Sequence, residues 1–151
     1  RCPVCRQTRQ EYPEFAVPYK RYTDPTLIFF SEIYTSTSSL SYRRMIDALP
    51  LIHHRPDEPM MEHSTAYRWI TTLGRYKNLL GQTIGMILQA NPSGNLPRVL
   101  ATLRIAPQKY QSPSRHQCLM TVRQLAAIVP IFGGLFSASP FTQLATVAGF
   151  R

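Results

Sequence analysis

Apolar side chains recur along this chain at helical rather than strand spacing, and prolines and glycines separate one run from the next. Thr23-Asp24-Pro25 reads as a helix start, with Thr23 or Asp24 as the cap and Pro25 in the first turn. Leu27, Ile28, Phe29, Phe30, Ile33 and Tyr34 then predict a strongly buried helix to about Tyr34. Ser39 or Ser41 caps a second helix that turns Met45, Ile46 and Leu49 inward and Arg43 and Arg44 outward, before Pro50. A third helix opens at His63-Ser64-Thr65 and runs through Leu73, with Gly74 expected in the left-handed position that ends many helices. A fourth runs from about Arg75 to Ala90, with Leu79, Leu80, Ile84, Ile87 and Leu88 on one side.

Asn91-Pro92-Ser93-Gly94-Asn95 breaks the pattern, and Leu96–Ile105 offers one further short helix. A polar loop over 106–114 precedes a helix from Arg115 to about Val129. From Leu125 to Phe150 no residue is charged, yet Pro130, Gly133-Gly134, Pro140 and Gly149 interrupt the stretch. It therefore reads as a buried helix pair or an apolar docking face, not as a membrane span. No repeat and no sustained alternation argues for strands, so the expected class is mostly α.

Composition bears on partners. With 151 residues and 44% hydrophobic side chains the chain is large and apolar enough for a core. Charge is scarce and one-sided: 17 Lys and Arg against 8 Asp and Glu give a net +9. An acidic partner follows, and nucleic acid is the commonest. Arginine outnumbers lysine 14 to 3, which favours planar, forked contacts to phosphate and guanine. Only three aspartates occur, Asp24, Asp47 and Asp57, read as a cap, a helix-surface residue and a loop residue. Convergent carboxylates for metal-dependent cleavage are therefore not expected, and no phosphate-cradling glycine motif occurs. His53 and His54, near Asp57, Glu58 and Glu62, read as solvated loop residues. No catalytic constellation emerges, and the chain is not read as an enzyme.

The most informative segment surrounds the sole tryptophan. On a 3.6-residue period Ala66, Trp69, Ile70 and Leu73 form an inner stripe, while Thr65, Arg68 and Thr72 fall opposite. His63 or Ser64 at the helix start leaves amides free for a phosphate. A basic helix followed by such a helix is the pattern of a helix-turn-helix, in which Ser64, Thr65 and Arg68 reach base edges in the major groove. Arg43, Arg44, Arg75 and Lys77 would hold the backbone. The connection of about thirteen residues from Leu51 to His63 is longer than the tight motif's turn. Pro18-Tyr19-Lys20-Arg21-Tyr22 interleaves aromatics with cations: either Lys20 and Arg21 strap a phosphate backbone, or the tyrosines pin the segment and leave both cations solvated.

Three cysteines, two of them in Cys2-Pro3-Val4-Cys5, do not suit a secreted disulfide framework, and no signal peptide opens the sequence. A cytoplasmic protein is expected. The C-x-x-C has the spacing of half a zinc ribbon, two thiolates on one structural metal. A second pair upstream of Arg1 would complete it; Cys118 with His116 is the other completion within the chain.

Taken in order, Cys-Pro-Val-Cys, the strap from Pro13 to Tyr22, a buried helix and Ser64-Thr65-Ala66-Tyr67-Arg68-Trp69 resemble an uncharacterised family of bacterial proteins associated with transposable elements. Its members carry two C-x-x-C pairs, a strap of the form P-x-F-x-x-P-Y-K-R-Y and a helix-turn-helix ending in S-T-x-x-R-W. The resemblance covers Cys2 to Leu73, under half of the chain, and departs at the first cysteine pair. It implies a zinc-ribbon and helix-turn-helix protein connected with mobile DNA, with Cys2 and Cys5 on zinc and Ser64, Thr65 and Arg68 facing DNA.

The expected organisation is a partial zinc-ribbon knuckle and strap over 1–22, a helix-turn-helix-containing helical domain over 23–91, and a helical region with an apolar tail over 92–151. The expected partner is double-stranded DNA, read in a sequence-specific way in transposition or its regulation, without a membrane. The rival is an assembly subunit that binds protein or RNA, or itself, through the apolar C-terminal region and touches DNA only non-specifically.

Overall fold

A computed structural model describes residues 24–48, 62–109 and 112–142. Among the described residues there are six helices and no strand: α1 (Asp24–Ser36), α2 (Tyr42–Ala48), α3 (His63–Leu73), α4 (Lys77–Ala90), α5 (Leu96–Thr102) and α6 (Pro113–Phe136). The mostly α class is as expected. Cys2, Cys5, Lys20, Arg21, the whole strap, Thr23, Leu49, Pro50 and the His53-His54 loop lie outside the described residues.

α1 buries Leu27, Ile28, Ser31, Tyr34 and Thr35, a one-sided helical spacing that reaches past the expected end at Tyr34. Thr35 is fully buried, and its hydroxyl donates to the Ser31 carbonyl at 2.7 Å, which satisfies it there. The extended segment after α5 closes this helix. Ala106 donates its amide to the Thr35 carbonyl at 2.9 Å, and the Gln108 amide donates to the carbonyls of Tyr34 and Thr37. That use of 103–109 explains why α5 stops at Thr102 and not at Ile105.

Of the two candidate caps for α2, Ser41 fills the role: its hydroxyl accepts from the Arg44 amide at 3.2 Å. Ser39 instead takes a positive φ of 53° and donates its amide to Pro107. Met45 and Ile46 are buried, and Arg43 and Arg44 are exposed.

α3 buries Ala66, Trp69, Ile70 and Leu73, the stripe read from the sequence. At roughly 1.5–3 kcal/mol for each large apolar side chain, turning α3 to present another face would cost several kcal/mol. Its orientation is therefore fixed.

Gly74 departs from expectation. Its φ is −64°, an ordinary right-handed value, so no left-handed turn requires glycine. Space does: a Cβ at Gly74 would lie 2.1 Å from Cys118 Sγ and 2.9 Å from the Cys118 carbonyl. Glycine lets the end of α3 cross α6 at close range. Arg75 and Tyr76 then spend their amides on Thr72 and Leu73 in a tight turn, so α4 starts at Lys77, two residues later than expected.

The largest correction concerns α6. It begins at Pro113, capped by the Ser112 hydroxyl, which accepts from the Arg115 amide at 3.2 Å. It continues through Pro130 and Gly133-Gly134 to Phe136 instead of ending near Val129. An interior proline costs about 3 kcal/mol through a missing hydrogen bond and a steric clash. Ile128 and Phe132, both fully buried, together offset that at about 1.5–3 kcal/mol each, while Pro130 itself faces outward. The helix ends where Ser137 turns left-handed at φ 51° and donates its amide to Gly133.

By length and composition α6 is apolar enough to cross a membrane. Within this fold Leu119, Val122, Leu125, Ala126, Ile128 and Phe132 are buried, and α6 packs against α1, α3, α4 and α5. One core therefore gathers around it, with α2 reaching that core through α1 and α3.

Candidate nucleic-acid interface

With its stripe buried, α3 presents the remainder of its circumference outward. Tyr67 and Arg68 are exposed, and Ser64, Thr65, Thr71 and Thr72 are half-buried. Arg68 thus lies where the sequence reading puts it. Thr72 does not offer its hydroxyl outward, because it donates to the Arg68 carbonyl at 2.7 Å. The first turn also differs in chemistry from a bare helix start. Glu62 occupies the N-cap without a side-chain cap bond, and Ser64 lies inside the helix with its hydroxyl donating to Glu62 Oε2 at 3.0 Å. A carboxylate therefore already sits beside the amides that were expected to meet a phosphate.

Cations surround this helix on its neighbours. Arg43 and Arg44 are exposed on α2, which packs on α3, and Arg75, in the turn after α3, and Lys77, the first residue of α4, are exposed as well. Among the described residues the one ion pair joins Arg123 and Glu32 at 3.9 Å, so none of these four cations, nor Arg68, is neutralised by a described carboxylate.

A cluster that sequence reasoning missed joins four helices and reaches this surface at Tyr67. The rings of Tyr34 (α1) and Tyr42 (α2) stack at 4.3 Å with 7° between planes. Tyr42 meets Tyr67 of α3 edge to face at 5.6 Å. Into the angle between them comes Arg115 from the first turn of α6, its guanidinium 5.9 Å from the Tyr42 centroid and 5.8 Å from that of Tyr67. The guanidinium also donates to the Tyr42 hydroxyl and, at 3.5 Å, to that of Thr71. Burial, reinforced by a hydrogen bond to Tyr34, holds the Tyr42 phenol protonated far above its ordinary range. Burial opposes the charge on Arg115, but Tyr42 and then Tyr34 outweigh it and hold the guanidinium above its ordinary value. The four residues are up to 81 positions apart in the chain, and no periodic signal links them.

For a metal the described residues offer little. No three His, Cys, Asp or Glu side chains gather among them, and the site that Cys118 and His116 were expected to complete calls on Cys2 and Cys5, which lie outside the described residues. Cys118 is half-buried, with its thiol 3.9 Å from the Ile70 carbonyl and the Arg115 guanidinium at 3.8 Å.

Comparison with known protein families, with curated proteins and with solved structures finds no match to this chain.

Proposed function

We propose that this chain is a sequence-specific double-stranded DNA-binding protein that lays α3 in the major groove, in a helix-turn-helix-like pairing with α2. One observation carries the reading: α3 buries its apolar stripe and leaves Arg68 exposed, and the exposed cations on α2 and in the α3–α4 region have no carboxylate partner among the described residues. A major groove admits one helix, and an arginine there bonds guanine O6 and N7 in parallel. Arg43 and Arg44 from α2, with Arg75 and Lys77 from beyond α3, grip the phosphates. Thr65 is a further candidate for base contact, and Ser64 becomes one when DNA draws its hydroxyl away from Glu62. The link to mobile DNA rests on the sequence resemblance alone, and a zinc ribbon using Cys2 and Cys5 on that resemblance together with the C-x-x-C spacing.

The test begins with selection of a preferred site from a random duplex library. Binding to that site and to a scrambled duplex is then measured for the wild type and Arg68→Ala. The substitution is expected to cost about 1–3 kcal/mol on the preferred site and little on the scrambled one. Equal losses on both, or none, would remove Arg68 from base reading.

A second reading draws on the far end of α6, where Leu135 and Phe136 remain 41% and 37% exposed beside half-buried Val129 and Ile131. There the chain is an assembly subunit that binds protein or RNA. Self-association that persists at high salt, with DNA affinity weaker than about 1 μM for every sequence, favours this reading over the first.

A further inference from the structure

Tyr67 is 51% exposed, more than Phe29, Leu135 or Phe136, although it lies on a helix whose tryptophan is buried. It is the fifth residue of α3, beside Arg68 and one turn beyond Ser64, and so belongs to the N-terminal half that enters a groove most deeply. The ring is not loose. Tyr42 meets it edge to face, Arg115 lies over it, and both are held from behind by the stacked Tyr34 ring and the Thr71 hydroxyl. Its conformational freedom is therefore spent before any partner arrives, which is what makes an exposed aromatic an effective contact.

The major-groove edge of the base pairs offers one apolar group, the 5-methyl of thymine. We propose that Tyr67 is a specificity-determining residue that packs its ring on a thymine methyl, within about two base pairs of the guanine read by Arg68. The inference rests on the DNA-reading proposal and deepens it. Tyr67 supplies an apolar criterion beside the polar one of Arg68, and Arg115 acts as the positioning residue that keeps the ring in place.

The experiment replaces each thymine of the selected site, one at a time, by uracil, a change that removes the methyl group alone. Wild type, Tyr67→Phe and Tyr67→Ala are titrated on every duplex. One replacement is expected to weaken wild-type binding by about fourfold, the worth of one buried methyl. Tyr67→Phe keeps that sensitivity because the ring remains; Tyr67→Ala binds the thymine and uracil duplexes alike while retaining the guanine preference set by Arg68. That retained preference also reports that Tyr67→Ala is folded. The inference is overturned if no replacement matters, if wild type and Tyr67→Ala lose equally, or if Tyr67→Phe behaves as Tyr67→Ala does, which would assign the contact to the hydroxyl. A library that returns no preferred site overturns the DNA-reading proposal itself; a preferred site with Arg68 dependence but no uracil effect overturns only the role of Tyr67.

Discussion

The phenol of Tyr42 is shared between Tyr34, which stacks on its ring, and Arg115, which donates to its oxygen. Burial keeps this phenol protonated in the folded chain well above its ordinary value near 10.0, and burial raises Tyr76 as well. The sign of the pH dependence follows. Above about pH 10 the unfolded tyrosines release protons that the folded ones retain, so the unfolded state gains and stability falls as pH rises. Below that value the contribution is fully present. The urea midpoint of the wild type should therefore be lower at about pH 11 than at about pH 8. In Tyr42→Phe the ring contacts persist and the acceptor for Arg115 is removed, at a cost of roughly 1–2 kcal/mol near neutrality. That variant should then lose less on going to high pH. A variant whose decline is as steep as the wild type's would show that Tyr42 is not the group responsible. None of this was legible in the sequence, because the residues concerned, at 34, 42, 67 and 115, meet only through tertiary packing. Arg68 was legible, because its exposure depends on the local period of one helix.

Between elements, local rules and burial compete, and the outcome separates what could be read in advance from what could not. The stripe of α3 and the cap at Ser41 obey spacing and hydrogen bonding within a few residues; the stripe stands in the structure as read, and Ser41 is one of the two caps that the sequence offered. Pro130 and Gly74 follow local rules only until a neighbouring helix intervenes. Buried Ile128 and Phe132 carry α6 past its proline, and the approach of Cys118 gives Gly74 a reason unrelated to a left-handed turn. The second case is testable. A methyl at residue 74 must push α3 and α6 apart, so Gly74→Ala is expected to destabilise by about 1–3 kcal/mol. Adding Cys118→Ala removes the sulfur that lies 2.1 Å from the new atom but leaves the carbonyl at 2.9 Å. The double variant should therefore recover part of the loss, with a coupling of about 0.5 kcal/mol or more in a double-mutant cycle. Strict additivity would mean that the crossing is not set by this close approach.

For the whole molecule the deciding quantity is charge rather than packing. A net +9 spread over 151 residues makes some attraction to any polyanion unavoidable, so binding alone does not distinguish a reader of sequence from a merely basic protein. What distinguishes them is how the cations divide their labour. Contacts to phosphate weaken binding to all sequences alike when removed, whereas contacts to base edges weaken binding to one. Arg43 and Arg44 stand on α2, outside the helix proposed to enter the groove, and belong to the first kind. Replacing both by alanine should therefore lower affinity for the selected and scrambled duplexes by the same factor. The logarithmic salt dependence should become shallower by about two, one counterion for each phosphate that the protein no longer neutralises. Selectivity, the ratio of the two affinities, should remain that of the wild type, in contrast to Arg68→Ala. If instead the Arg43 and Arg44 pair controls the ratio and Arg68 only the total, then α2 reads the bases and α3 holds the backbone, and the assignment of the two helices must be exchanged.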